Sequence, residues 1–229
     1  MLEHGVIVVG TDTGVGKTHV AAAMLLALRA RGVDALPMKP VQTGAEHGRA
    51  PDLDFSLARA GIGFDTALYD LLAPYRLALP ASPHLAARTA GTAIEPARIL
   101  DAFRLLRARG HALVVEAAGG VLVPLTDALM QVDLLLEFNL PFVVVARPGL
   151  GTLNHTLLTL EALRKREARI AAIVLNGSNP VGDAIEEDNA RTLARLNPGL
   201  PVHRFPRLPD APPDALRAAG ESLLAAMAR

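Results

Sequence analysis

The chain of 229 residues contains no cysteine, no tryptophan and few aromatic residues. The absence of cysteine excludes disulfide bonds, thiolate metal ligands and a cysteine nucleophile. Basic and acidic residues balance to a formal net charge of zero, so the basic surplus typical of nucleic-acid-binding proteins is missing. Charged residues such as Glu116 and Arg147 interrupt the apolar stretches, and the N-terminus lacks a signal-peptide pattern. We therefore expect a cytoplasmic protein with no nucleic-acid or membrane partner.

Lysine is also scarce: the chain has three lysines against twenty arginines. Lysine differs from arginine in carrying a compact ammonium group that can follow a moving phosphoryl oxygen. Lys17 and Lys39 lie in loops with motif-like surroundings, which marks both as candidate functional residues. Lys165, next to two arginines at a predicted helix end, is interpreted as a solvated surface residue.

Short apolar runs that alternate with helical patterns predict an α/β fold. Runs that are apolar on both faces are typical of parallel strands covered by helices on both sides. Strands are expected at residues 5–10, 35–38, 112–115, 141–146, 170–175 and 202–205. Helices are expected at residues 18–31, 82–88, 96–108, 153–166, 183–196 and 213–227. No linker or repeat divides residues 1–229, so we expect a single doubly wound domain with a mostly parallel sheet and ligands at the carboxyl ends of its strands.

The first predicted strand runs into the glycine-rich turn Gly10-Thr11-Asp12-Thr13-Gly14-Val15-Gly16-Lys17-Thr18. A strand, a glycine-rich turn and a helix start form a cradle in which backbone N–H groups and the helix dipole hold a polyphosphate. In such a motif Lys17 reaches the outer phosphates and the Thr18 hydroxyl binds Mg²⁺. Five residues separate Gly10 from Gly16, one more than in the common form of the motif. We interpret the segment as a variant nucleotide-binding P-loop.

Charged residues follow two further predicted strands. Lys39 comes directly after the second strand and before a proline, and its ammonium is expected to face the phosphate cradle. Glu116 closes an apolar strand, which is costly unless the carboxylate meets a cation such as Mg²⁺ held by Thr18 and the nucleotide. Either Asp52 or Asp54 can supply a second carboxylate to the metal, and the spacing leaves both open.

Two later strands end in polar loops. Residues 147–155 present backbone N–H groups and an amide at a helix start, which is a suitable receiver for a carboxylate. Ordinary capping of that helix by Thr152 is an alternative that is compatible with this role. Asn176 carries a donor and an acceptor that can read the edge of a base, although Asn176-Gly177 is also an ordinary turn sequence.

Together these segments resemble the dethiobiotin synthetase family over almost the entire chain. The matching segments are GTDTGVGKT at 10–18, KPVQTG at 39–44, PASPH at 80–84, EAAGG at 116–120, LGTLNH at 150–155, Asn176-Gly177 and the turn at 205–208. The five-residue P-loop spacing is itself a family trait. One departure is Ala117, where the family usually has glycine. Its methyl group is expected to lie beside the metal ligand and to narrow the nucleotide pocket.

The resemblance implies a P-loop NTPase-like fold and an ATP- and Mg²⁺-dependent cyclo-ligase that acts on 7,8-diaminopelargonic acid and CO₂ or bicarbonate. In that reaction a carbamate attacks the γ-phosphate of ATP, and ring closure gives dethiobiotin, ADP and phosphate. An alternative is a P-loop switching ATPase of the partition or positioning type. Those proteins usually carry a further lysine early in the P-loop, where this chain has Thr11-Asp12-Thr13.

The resemblance also implies roles by position. Lys17 and Lys39 are the expected catalytic residues, and Thr18, Asp52 and Glu116 the expected metal ligands, with Asp54 as the alternative to Asp52. The expected nucleotide-binding residues are Gly14, Val15, Gly16, Lys17, Thr18, His19, Asp52, Glu116, Ala117, Ala118, Gly119, Asn176, Gly177, Pro206, Arg207 and Leu208. The expected substrate-binding residues are Thr13, Lys39, Thr43, Gly151, Thr152, Leu153 and Asn154. Because the family binds the substrate's carboxylate tail with the neighbouring subunit, the last four imply a homodimer.

Overall fold

A six-stranded parallel sheet forms the centre of the computed structural model, which describes residues 2–178, 183–208 and 210–228. The strands of these residues are β1 (Gly5–Gly10), β2 (Ala35–Met38), β3 (Val41–Thr43), β4 (Tyr75–Leu77), β5 (Ala112–Gly120), β6 (Phe142–Ala146), β7 (Ile170–Ser178) and β8 (Val202–Pro206). The central sheet has the order β2-β5-β1-β6-β7-β8, and β3 pairs with β4 in a separate small sheet. All the central pairs are parallel, as predicted. Residues 1 and 229, the predicted domain limits, lie outside the described residues.

Helices lie between most of the strands, and the last helix follows β8. The helices in the described part of the chain are α1 (Lys17–Ala30), α2 (Pro51–Arg59), α3 (Thr66–Leu72), α4 (Pro83–Thr89), α5 (Pro96–Ala108), α6 (Gln131–Leu136), α7 (Thr152–Arg164), α8 (Ala184–Leu196) and α9 (Pro213–Met227). Four of them, α2, α4, α5 and α9, begin at a proline. Proline is favoured there because its fixed φ suits a helix and its missing N–H has no partner in the first turn. Within the described part of the chain, no helix is long and apolar enough to cross a bilayer.

The sheet is covered on both faces because its strands are apolar on both sides. Along β1, Val6 and Val8 pack into one core with α1 and α9. Ile7 and Val9 point to the opposite face and pack into a second core, to which α5 and α7 contribute. Side chains alternate across a strand, so one run of apolar residues serves both cores. The predicted doubly wound α/β fold is confirmed.

Four of the shortest elements escaped the sequence analysis. The strands β3 and β4 have three residues each, and α3 and α6 have seven and six. Such segments contain too few repeats of a strand or helix period to be recognised from hydrophobic spacing. The small β3–β4 sheet therefore lies where the sequence indicated only a loop.

Two strands also run further than predicted. Strand β5 continues beyond Val115, since Glu116 aligns with Val8 of β1 and Gly120, after a shift of register, aligns with Gly10. Strand β7 continues because Asn176 aligns with Phe205 of β8. Glu116 and Asn176 therefore lie inside strands rather than after them. Glu116 and Asn176 are still paired with neighbouring strands, whereas Gly119 and Gly177 lie where the register shifts.

Helices α1 and α9 approach each other closely at Gly220. A Cβ atom at this position would lie 2.0 Å from the carbonyl oxygen of Ala23 and 3.1 Å from the Cβ of Ala27. The nearer contact is with backbone, which cannot move aside as a side chain can. Only glycine permits this packing of the last helix against the helix that follows the P-loop.

We expect Gly220→Ala to lower the free energy of unfolding by about 1–3 kcal/mol, as overpacking of a core does. Helix propensity alone predicts the opposite change, because it favours alanine over glycine by about 1 kcal/mol. Urea denaturation followed by circular dichroism measures the change. The control is Ser222→Ala, at an exposed position of α9. A Gly220→Ala variant more stable than the parent would contradict the close approach.

Candidate nucleotide and metal site

A cavity of about 680 Å³ lies at the carboxyl ends of β1, β2 and β5. It brings together the P-loop, the segment after β2, the start of α2, the turn before α4 and the end of β5. Its lining residues are Thr13, Gly14, Gly16, Lys17, Thr18, His19, Lys39, Gln42, Thr43, Asp52, Pro80, Ala81, Ser82, Pro83, Glu116, Ala118, Gly119 and Val123. Most of the residues predicted to bind phosphate, metal and reacting groups therefore share one cavity.

The P-loop turn depends on glycine at position 16. Gly16 has a φ of 92°, in the left-handed region, and precedes the first residue of α1. A Cβ at this position would lie 1.8 Å from Nδ2 of Asn176. The Asn176 amide donates a hydrogen bond of 2.9 Å to the Val15 carbonyl. Strand β7 thus supports the P-loop from beneath, and the left-handed φ together with this close contact favours glycine at position 16.

Lys17 is folded back onto the P-loop. Its Nζ donates a 3.0 Å hydrogen bond to the carbonyl oxygen of Asp12. Burial and, to a smaller extent, the nearby Lys39 charge lower the pKa of Lys17 to about 8, although Glu116 and Asp52 partly oppose the shift. The negative charge of a bound polyphosphate would offset the cost of burying this ammonium, so the position of Lys17 favours phosphate binding.

Lys39 is the centre of a buried ionic network. Its Nζ lies 2.7 Å from Oδ2 of Asp52 and 2.8 Å from Oε1 of Glu116, and it donates to the Ala117 carbonyl at 3.3 Å. The Thr18 hydroxyl donates to the same Glu116 oxygen at 2.9 Å. The network unites the P-loop helix, the segment after β2, helix α2 and strand β5.

The network keeps Lys39 and Asp52 charged. Burial works to lower the pKa of Lys39, but Glu116 and Asp52 outweigh it, so the pKa lies above its usual value. Burial works to raise the pKa of Asp52, but the Lys39 ammonium outweighs it and holds the pKa below its usual value. The interaction is therefore an ion pair at neutral pH.

The oxygen atoms around Lys39 suit a magnesium ion. Thr18 supplies a hydroxyl, and Asp52 and Glu116 supply carboxylates, which are the ligand types that Mg²⁺ prefers. The ammonium of Lys39 already shows that these oxygens hold a cation. No group of three or more His, Cys, Asp or Glu able to hold a metal occurs among the described residues. Two carboxylates with nucleotide phosphates and water are the usual Mg²⁺ environment in ATP-dependent enzymes, so the residues fit the ion.

The structure brings Asp52 to the site and places Asp54 elsewhere. The Asp54 carboxylate accepts hydrogen bonds from Arg49 at 2.8 and 3.0 Å and from the Tyr69 hydroxyl at 2.8 Å. Asp52 is held by Gln42, whose Oε1 accepts the Asp52 N–H at 3.4 Å and whose side chain also bonds its carboxylate. The sequence analysis left Asp54 open as an alternative metal ligand. This alternative is wrong, because Asp54 does not line the cavity and its carboxylate is bonded to Arg49 and Tyr69.

Gln131, which the sequence analysis missed, fixes the wall after Glu116. This glutamine is buried at the start of α6. Its Oε1 accepts the Ala118 N–H at 2.7 Å, and its Nε2 donates to the carbonyls of Ala118 and Gly120 at 2.8 and 2.9 Å. All polar atoms of the side chain thus hold the backbone of the cavity wall. A single glutamine beside a short helix carries no local signal of this role.

Ala117 does not affect the pocket in the way expected from the sequence. Its side chain is 1% exposed, packs into the apolar core with Val115, and is absent from the cavity lining. Because β5 continues through this position, successive side chains point to opposite faces of the sheet. Glu116 and Ala118 therefore face the cavity, and the expected narrowing by the Ala117 methyl is wrong.

The predicted base-binding residues lie outside the cavity lining. Asn176 lies beneath the P-loop and Gly177 follows it in β7, while Val15 is buried in the turn. Pro206 ends β8, and Arg207 and Leu208 follow it. One N–H of the Asn176 amide is already bonded to the P-loop, so base recognition by this side chain stays a prediction.

The predicted substrate-tail residues also lie outside this cavity. Gly151, with a φ of 88°, precedes the first residue of α7, and Asn154 is exposed on that helix. The Thr152 hydroxyl is buried 3.4 Å from that of Thr156 and makes no cap. Capping by Thr152 is therefore wrong, because the left-handed Gly151 occupies the cap position.

Known proteins resemble the chain over nearly its full length. The AAA domain family matches residues 4–213. The ATP-dependent dethiobiotin synthetase BioD of Anaeromyxobacter dehalogenans (strain 2CP-C) is 47% identical over 206 residues, covering 90% of this chain and 91% of the relative. This chain belongs to the dethiobiotin synthetase family. The protein of the same name from Agrobacterium fabrum (strain C58 / ATCC 33970) is 41% identical over 213 residues, covering 93% and 91%.

Solved structures share the fold of this dethiobiotin synthetase family member at low sequence identity. The MinC:MinD complex of Aquifex aeolicus matches with a TM-score of 0.59 and 13% identity, covering 96% of this chain and 95% of that one. A ParA family ATPase from Chlorobium tepidum TLS matches with a TM-score of 0.54 and 18% identity, covering 96% and 92%. These likenesses confirm the P-loop NTPase-like fold. The family predicted from the sequence motifs is confirmed by the two curated relatives.

Gln131→Met is expected to weaken ADP binding by about tenfold, because the buried N–H and carbonyl of Ala118 lose their partner at roughly 1–3 kcal/mol each and the cavity wall is no longer held in place. Isothermal titration calorimetry measures the affinity, and circular dichroism verifies the fold. Met130→Leu, at the preceding residue, is the control and should bind ADP like the parent. Unchanged affinity and melting temperature in Gln131→Met would refute the role of the amide.

The lowered pKa of Lys17 predicts nucleotide binding that weakens at alkaline pH. The free protein loses this ammonium near pH 8, so ADP affinity should fall about tenfold from pH 7 to pH 9. Lys17→Arg should flatten the profile because arginine stays protonated. Lys165→Arg is the matched control and should keep the slope. A flat profile for the parent protein would contradict the shift.

Proposed function

We propose that this protein closes 7,8-diaminopelargonic acid and CO₂ into dethiobiotin at the cost of one ATP. The observation that supports the reaction most strongly is the position of Lys39. Its ammonium lies in the same cavity as the P-loop, 2.7 and 2.8 Å from the carboxylates of Asp52 and Glu116. A second lysine beside a phosphate cradle suits the transfer of a phosphoryl group to an anionic acceptor. The names of the curated relatives support the same product.

The proposed reaction proceeds in three steps. An amine of the substrate adds to CO₂ and loses a proton, which forms a carbamate. A carbamate oxygen then attacks the γ-phosphorus of ATP, and the bond to the ADP oxygen breaks, which gives a carbamic–phosphoric anhydride. The second amine attacks the anhydride carbon, phosphate leaves, and the amine proton is released. Positioning and charge balance are the main demands of such a reaction.

The residues that line the cavity can provide both the positioning and the charge balance. Lys17 and Lys39 are expected to stabilise the carbamate and the transferring phosphoryl oxygens. Thr18, Asp52 and Glu116 would hold Mg²⁺, which supplies positive charge to the phosphates when bound. The hydroxyls of Thr13 and Thr43, which also line the cavity, are expected to contact the carbamate and the diamine.

We place the nucleotide along the P-loop. Residues 14–19 would bind its phosphates with backbone N–H groups and the start of α1. Ala118 and Gly119 would form the opposite wall, where Gly119 has a φ of 61° that favours glycine. The adenine would then reach towards Asn176, Gly177 and residues 206–208.

We further propose a homodimer in which the start of α7 binds the carboxylate tail of the substrate in the neighbouring subunit. Gly151–Asn154 do not line the cavity of their own chain, and Asn154 is exposed. Apolar side chains surround this region: Leu150 is 96% exposed, Leu158 57% and Leu122 51%. Apolar residues of this size at the surface favour a covered interface.

A product assay tests the reaction. The purified protein is incubated with ATP, Mg²⁺, bicarbonate and diaminopelargonic acid, and ADP, phosphate and dethiobiotin are quantified, the last by mass spectrometry. The proposal requires all three products in equal amounts and only in the presence of the diamine. ATP hydrolysis that is indifferent to the diamine would support the switching ATPase instead.

Asn154→Ala is expected to weaken diamine binding by about tenfold and to leave ADP binding unchanged, because its amide would contact only the substrate tail. Glu161→Gln, at an exposed position of the same helix, is the control. Mixing Asn154→Ala with Lys39→Ala subunits should restore activity, since one site of each mixed dimer then has both native residues. Absence of recovery in verified mixed dimers would contradict a shared site.

A further inference from the structure

We infer that Lys39 occupies the metal position of the nucleotide-free protein, so that the divalent ion binds well only when the nucleotide releases this lysine. The inference rests on the proposed function for the identity of the metal ligands. It assigns Lys39 a second role, separate from its expected contact with the reacting groups: it sets the order in which the site is filled.

The hydrogen-bonding capacity of the Lys39 ammonium is fully used. An ammonium has three N–H donors and no acceptor. Its three partners are Asp52 Oδ2 at 2.7 Å, Glu116 Oε1 at 2.8 Å and the Ala117 carbonyl at 3.3 Å. The same group therefore cannot serve a carbamate or a phosphoryl oxygen until at least one of these contacts breaks. Its catalytic position and its resting position must differ.

The resting position coincides with the expected metal position. The oxygens bonded by Lys39 belong to Asp52 and Glu116, and the Thr18 hydroxyl bonds the same oxygen of Glu116 at 2.9 Å. A cation bound by these three side chains would meet the ammonium in the same space. The Lys39 side chain is buried in the cavity wall, so the repulsion between the two cations is screened less than it would be at the surface.

A nucleotide resolves this conflict. Its phosphates bring negative charge to the cavity, complete the coordination of the metal and offer new acceptors to the released ammonium. Metal and nucleotide are therefore expected to bind as a pair, and their arrival moves Lys39 towards the transferring group. Without the nucleotide, a metal ion must break both ion pairs of Lys39, of which the one with Glu116 is fully buried, and gains no phosphate ligand.

Manganese titration of the nucleotide-free protein tests the inference. The paramagnetic resonance signal of unbound Mn²⁺ gives the affinity without turnover or substrate. Lys39→Met should bind Mn²⁺ about tenfold or more tightly than the parent, because the buried Glu116 carboxylate and the half-buried Asp52 carboxylate then lack their cation. Lys165→Met, which removes an exposed lysine, is the matched control and should bind like the parent. A Lys39→Met variant that binds Mn²⁺ no more tightly than the parent overturns the inference.

Two further variants locate the effect. Adding Glu116→Gln to Lys39→Met should abolish the gain in affinity, because the ion then loses one of its carboxylates; a retained gain would place the ion elsewhere and overturn the inference. Lys39→Arg keeps a positive charge and should bind Mn²⁺ as weakly as the parent, whereas tight binding would count against competition between the two cations.

Thermal melting guards against a folding defect. In EDTA, Lys39→Met should melt below the parent, and Mn²⁺ should raise its melting temperature more than that of the parent. An equal rise in both proteins would overturn the inference. If Lys39→Met does not fold, Lys39→Gln, whose neutral amide keeps a donor towards the carboxylates, undergoes the same titration under the same criteria. Neither measurement uses the diamine or depends on turnover. Failure of this inference can therefore be distinguished from failure of the proposed reaction.

Discussion

The buried ion pairs of Lys39 constrain the rest of the site. Charged groups are costly to bury unless they are paired, and here each partner comes from a different part of the chain. Lys39 follows β2, Asp52 lies in α2 and Glu116 lies in β5. The parallel register that aligns Met38 with Val115 places Lys39 beside Glu116. Any shift of these elements would separate buried opposite charges, so the network fixes their relative positions as well as the chemistry.

The sheet topology explains why the chemical groups converge. In a parallel sheet all strands deliver their following residues to the same edge, and β1 lies between β5 and β6 at the centre of the order. The P-loop after β1 therefore receives Glu116 from one neighbouring strand. Asn176, from β7, supports the same loop from the opposite side. The position of the site follows from the apolar strands, and its chemistry follows from the few polar residues at their ends.

Local sequence patterns were sufficient for the sheet, most helices and the P-loop, because each depends on neighbouring residues. The scarcity of lysine also singled out Lys39, although its Glu116 partner is 77 positions away. The choice between Asp52 and Asp54 depended on Arg49 and Tyr69, which no local pattern connects to them. The orientation of Ala117 depended on how far β5 continues, and the role of Gln131 on three backbone groups across a turn. These features arise from tertiary contacts, which spacing along the chain does not reveal.

The close packing of α9 on α1 has a consequence for how binding energy spreads through the molecule. Helix α1 begins at Lys17 of the P-loop, and Gly220 of α9 rests against the backbone of Ala23 in that helix. A ligand that binds only the folded state suppresses every opening motion that disrupts its site. Amide hydrogens of α9, far from the cavity in sequence and without any part in its lining, should therefore exchange with solvent more slowly when nucleotide is bound. The last helix can report on the occupancy of a site that it does not touch.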